Sequence, residues 1–145
     1  MSLVARIICW IVWGLLLFSN GLYLITGPML LQESAPAPWS DFADLMLKIS
    51  IVNVGIALLI FAGARLLIHF VRNPKARPFI ANGALPLLAL FAWILCQACS
   101  IYGLIIFFQT SQLRHLYLFM GIGISGLLLL NPYLFYRRIR QNEYS

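Results

Sequence analysis

The sequence predicts an all-α polytopic membrane protein: four transmembrane helices in a compact bundle, with both termini in the cytoplasm. Three observations carry this. Of 145 residues, 62% are hydrophobic and 10% charged, with a mean hydropathy of +0.91, whereas a soluble domain has roughly a quarter of its residues charged. The apolar residues gather into four runs, each near the ~20 residues that cross a bilayer core as a helix. The cations collect at one set of run ends. Backbone groups in lipid must be satisfied internally, and none of the runs shows the alternation of a β-barrel strand.

The first span covers residues 5–26, with Arg6 at its start. It has the look of a signal peptide, but it stays apolar through Tyr23, Leu24 and Ile25, with no prompt small-x-small cleavage site. A retained helix is therefore expected. Residues 27–40 contain Pro28, Pro36 and Pro38 and cannot be helical throughout. Ser40 suits an N-cap for the second span, 45–71, with Asp41 and Asp44 in the first turn where the helix dipole favours them.

The third span covers 85–108. An apolar run starting at Phe79 exceeds the core thickness, and Pro86 resolves the excess as an early helical residue or a kink. The fourth span covers 116–136, with Pro132 near its end. Trp39, Tyr23 and Tyr117 on one side, and Tyr133 and Tyr136 on the other, are expected at headgroup level.

Placement of charge sets the expected sidedness. Arg6, Arg72, Lys75, Arg77, Arg137, Arg138 and Arg140 lie at one set of ends, while Glu33, Asp41 and Asp44 lie at the other with Lys48 and Arg114. The positive-inside rule then puts both termini and the 72–77 loop in the cytoplasm, in a multi-pass protein of the cytoplasmic (inner) membrane. With its charge held at membrane edges, the net +6 points to the lipid bilayer rather than nucleic acid.

Polar residues within spans are costly and mark where function would show. They are Asn20, Lys48, Asn53, Gln97, Arg65, His69 and Asn131. Lys48 follows Asp44 by four residues, the spacing of an ion pair on one helix face. Arg65 is expected to snorkel toward phosphates. Gln97 lies near the bilayer centre, where it either bonds another helix through Asn53 or Asn20 or lines a polar path. No Asp or Glu occurs in the central spans, and an amide cannot carry a proton near neutral pH.

Cys9, Cys96 and Cys99 all fall in apolar runs, so no secreted disulfide framework is implied. Cys96 and Cys99 form a C-x-x-C within a helix, with no second pair and too few further ligands for zinc; buried small hydrophobes are expected. His69 and His115 fall near opposite faces and cannot share one haem. No metal or cofactor is expected. Cys99 with Gly103, and Gly121 with Ser125, are small residues four apart, with Gly123 and Gly126 alongside, a pattern that lets helices approach closely.

The stretch from Gln97 through Ser100, Tyr102, Gly103 and Leu104 to Ile106 resembles the carboxylate helix of rotary-ATPase proteolipids, the c or K subunits. Their motif runs acidic residue, three variable positions, an aliphatic residue, Tyr, Gly, Leu and an aliphatic pair. The likeness covers about ten residues, with Gln97 at the position where that family carries its ion. The resemblance implies a close-packed helical hairpin. The chain is also similar overall to small bacterial four-helix membrane proteins.

With no catalytic set in view, the leading expectation is a non-enzymatic protein acting through helix packing, as a subunit, oligomeric scaffold or accessory protein with a homo-oligomeric or membrane-protein partner. A small-solute transporter or channel using Asn20, Asn53 and Gln97 is the alternative. A membrane thiol redox protein using Cys96 and Cys99 is a second.

Overall fold

The computed structural model describes residues 3–29, 41–70 and 80–133, apart from the side chains at 68–70, 81 and 82. The elements are α1 (Leu3–Met29), α2 (Asp41–Phe70), a π-helical turn (Ile80–Ala84), α3 (Leu85–Thr110) and α4 (Leu113–Leu129). Among the described residues there is no strand. Three of the helices, α1, α2 and α3, are long and apolar enough to cross a membrane, and α4 is a shorter apolar helix. The Ser40 cap, Trp39, Tyr136, the 72–77 loop and the cations at 137–140 lie outside the described residues, as does the His69 side chain.

The helix ends follow local chemistry. α2 opens on Asp41, with Asp44 also in its first turn. Pro86 is the second residue of α3, directly after the π turn. A proline ring clashes with the carbonyl four residues back and donates no hydrogen bond, and a widened π turn absorbs that conflict. α3 ends at Ser111, whose left-handed backbone (φ 54°) turns its N–H onto the Phe107 carbonyl. Gln112 is extended and α4 begins at once, so two residues join α3 to α4.

α4 ends at Leu129, inside the expected 116–136 span, whose residues 134–136 lie outside the described residues. Pro132 supplies no N–H and restricts Asn131 away from helical backbone. Pro132 and Tyr133 are helical again beyond the break.

α3 is the central element. In its membrane-length window 44% of residues are buried, against 11% for α1 and for α2. It packs on α1, α2 and α4, and both outer helices also touch α4. Cys96 lies by Gly126 and Gly103 by Phe119, so α3 and α4 are antiparallel. Cys99 meets the Ser50 carbonyl and Ile106 clusters with Ala43, so α2 also runs against α3. α1 runs with α3, its Trp13 at Leu127 and its Gly27 at Leu116.

The largest buried cluster joins Cys9 of α1, Ala57 and Ala64 of α2, Trp93 and Cys96 of α3, and Leu127 and Leu130. Much of the outward surface is apolar, including Leu15, Phe18, Leu59, Phe91 and Phe108. Such a surface is the reverse of a soluble domain's and matches a lipid solvent.

Candidate functional site: a buried amide junction

The interior polar groups concentrate where α1 lies against α3. Asn20 is fully buried and Gln97 nearly so. The Asn20 side-chain amide donates to Gln97 Oε1 at 2.8 Å and to the Leu16 carbonyl at 2.8 Å. Gln97 Nε2 donates to Ser19 Oγ at 3.0 Å, and Ser19 in turn donates to the Leu16 carbonyl. Each donor thus has a defined acceptor, and one glutamine clamps two successive residues of α1. Ser19 is the member that residue type did not single out.

Acceptors are less well served. Asn20 Oδ1, Ser50 Oγ and Ser100 Oγ are buried with no hydrogen-bond partner among the described residues. Ser100 lies three residues beyond Gln97 and faces Gly123, where an added Cβ would press on Ser100 Oγ and the Cys96 carbonyl. The interior is therefore tight beside these acceptors, and Gly123 is required for close backbone approach.

Asn53, half-buried on α2, takes no part in the Gln97 network. Asn131 is half-buried in the break after α4. Asp44 and Lys48 form their ion pair on an exposed face of α2. Arg65 places its guanidinium over the Phe61 ring, 4.7 Å from the centroid, one turn back along its own helix. The geometry is that of a cation–π contact.

The packing stripe differs in part from the expected one. Gly103 sits against Phe119 with no room for a side chain, and Cys99 is buried with its thiol 3.5 Å from both the Ser50 and Leu95 carbonyls, sharing one proton between them. On α4 the contact residues are Gly123 and Gly126, the latter against Cys96. Gly121 and Ser125 are exposed, and a Cβ at Gly121 meets nothing within 4 Å. Gly121 and Ser125 share one face of α4, while Gly123 and Gly126 share another, and only the second meets α3. Cys9, Cys96 and Cys99 are all buried and none is in a disulfide. Among the described residues no cluster of metal-ligating side chains forms.

Two indoles complete the interior. Trp13 Nε1 donates to the Leu127 carbonyl at 2.8 Å and Trp93 Nε1 to the Leu130 carbonyl at 2.7 Å. These carbonyls lie where α4 breaks and helical partners run out.

At the opposite end, Thr110 donates its hydroxyl proton to the Ile106 carbonyl at 2.9 Å. Its oxygen lies 3.0 Å from His115 Nδ1. The hydroxyl and the imidazole thus share one hydrogen bond that ties the start of α4 to the end of α3.

Comparison with known proteins returns no matching family model, no matching curated protein and no matching solved structure.

Proposed function

We propose that this chain is a four-span protein of the cytoplasmic membrane, with both termini and the 72–77 loop in the cytoplasm, that acts through helix packing as a subunit, oligomeric scaffold or accessory protein. One observation carries the reading: Gln97, the amide nearest the middle of α3, commits both its oxygen and its nitrogen to α1. A polar group spent in this way joins helices. The apolar outer faces of α1 and α2 supply area for lipid and for a partner, and sidedness rests on the distribution of Arg and Lys.

Gly103 is occupied by Phe119 within the chain, so a probe of outside contacts belongs at Gly121. The test is light-scattering mass in mild detergent, with cross-linking in membranes, for the native chain and Gly121→Leu. A mass above one 16.4 kDa chain, or a retained partner lost in the variant, is expected. A monomer with no partner and an unaffected variant overturns the proposal.

The unpartnered Asn20 Oδ1 supports a second reading, passage of a small solute past Asn20 and Gln97. Reconstituted liposomes would then show a flux that Gln97→Leu abolishes, and absence of flux for the ions and metabolites tried counts against it.

A further inference from the structure

Beyond the amide junction, the structure holds a cavity at the α3–α4 turn, at the far end of α3 from Pro86. Its volume is about 460 Å³, and Gln112, Arg114, His115 and Leu118 line it. That volume falls in the ~300–1,000 Å³ range of small-molecule sites.

We propose that this cavity binds a phosphate-bearing anion, either the headgroup of an anionic phospholipid or a free phosphate.

The chemistry comes from three polar groups in one place. Arg114 offers a planar guanidinium fork, the side chain best matched to phosphate oxygens. The other described cation at this end of the molecule, Lys48, is already paired with Asp44, and among the described residues no ion pair engages Arg114. Gln112 adds a neutral donor at the rim. His115 is fixed in the wall by its Nδ1 contact to Thr110, so the wall is preorganised.

The local backbone agrees with an anion. The first turn of α4 holds no acidic residue, and Gln112 makes no side-chain cap. The positive end of the helix dipole therefore faces the cavity without an internal carboxylate. Leu118 follows Arg114 by four residues and so lies below it on the same helix face. A charged group above an apolar wall suits an amphiphile, with the phosphate at Arg114 and the start of an acyl chain along Leu118.

The inference does not depend on the oligomeric state proposed above, and its test reads ligand retention by single chains. Full-length protein in detergent is titrated with phosphatidylglycerol, with phosphatidylcholine of the same chains, and with inorganic phosphate, and bound ligand is read by native mass spectrometry. Retention of phosphatidylglycerol over phosphatidylcholine, weakened about fivefold by Arg114→Gln and unchanged by Lys48→Gln, is expected for a lipid headgroup. Displacement of that lipid by phosphate, or direct phosphate adducts lost in Arg114→Gln, assigns the site to free phosphate. Leu118→Trp, which fills the cavity without touching its charge, lowers retention in either case and serves if Arg114→Gln does not fold. Equal retention of the two lipids with no phosphate adduct, or retention indifferent to both substitutions, overturns the proposal.

Discussion

The indole N–H of Trp93, on α3, donates to the carbonyl of Leu130 where α4 breaks. In an apolar surrounding an orphaned carbonyl costs on the order of 1–3 kcal/mol, so the ring acts as a cap supplied by a neighbouring helix. Trp93→Phe keeps the ring's bulk and removes the donor. It is expected to lower stability by about 1–2 kcal/mol in unfolding by denaturing detergent. Trp13→Phe, losing the equivalent bond to Leu127, is expected to act in the same direction.

The amide junction predicts an asymmetry. Gln97→Leu abolishes the bonds to both Ser19 and Asn20 and is expected to cost about 1–2 kcal/mol. Ser19→Ala removes one acceptor and is expected to cost less than about 1 kcal/mol. Gln97→Glu places an ionisable group in the same enclosure and is expected to cost more than either, about 2–3 kcal/mol. The same unfolding assay ranks all three, and a Ser19→Ala loss equal to that of Gln97→Leu contradicts the clamp.

On α4, Gly123 and Gly121 are two residues apart and should differ sharply. Gly123→Val drives a side chain into Ser100 and the Cys96 carbonyl and is expected to cost about 3 kcal/mol or prevent folding. Gly121→Ala enters open space and is expected to stabilise the chain by up to about 1 kcal/mol through helix propensity. Equal tolerance at both positions contradicts the packing described.

Hydropathy alone located the helices because a long apolar run has one solution in lipid. The proline effects were harder to read. Pro86 and Pro132 are equally visible in the sequence, but one sits in a continuous helical stretch behind a π turn and the other accompanies a break. Trp13 and Trp93 donate to the Leu127 and Leu130 carbonyls beside the second of these, and their role is defined only once that break is known.

The site was legible in outline. Gln97 stood out because an amide at mid-helix needs a partner, and Asn20 was one of two offered by depth. Choosing it over Asn53 takes the packing of α1 against α3. The face of α4 was the least legible, because Gly121, Ser125, Gly123 and Gly126 all suit close approach. Only the direction of α3 separates the buried pair from the exposed one.

The two-residue link of Ser111 and Gln112 also governs how such a chain enters a bilayer. Even fully extended, two residues reach at most about 7 Å, too little to leave α3 seated in lipid while α4 waits in water. On the four-span topology proposed above, the two helices enter together as a hairpin with Arg114 at its tip, and moving that cation through the core costs about 2.5–3.5 kcal/mol on insertion scales, offset by the apolar length of α3 and α4. Lengthening the link with polar residues would uncouple the two insertions, making biogenesis, rather than the finished fold, the stage at which this turn is most constrained.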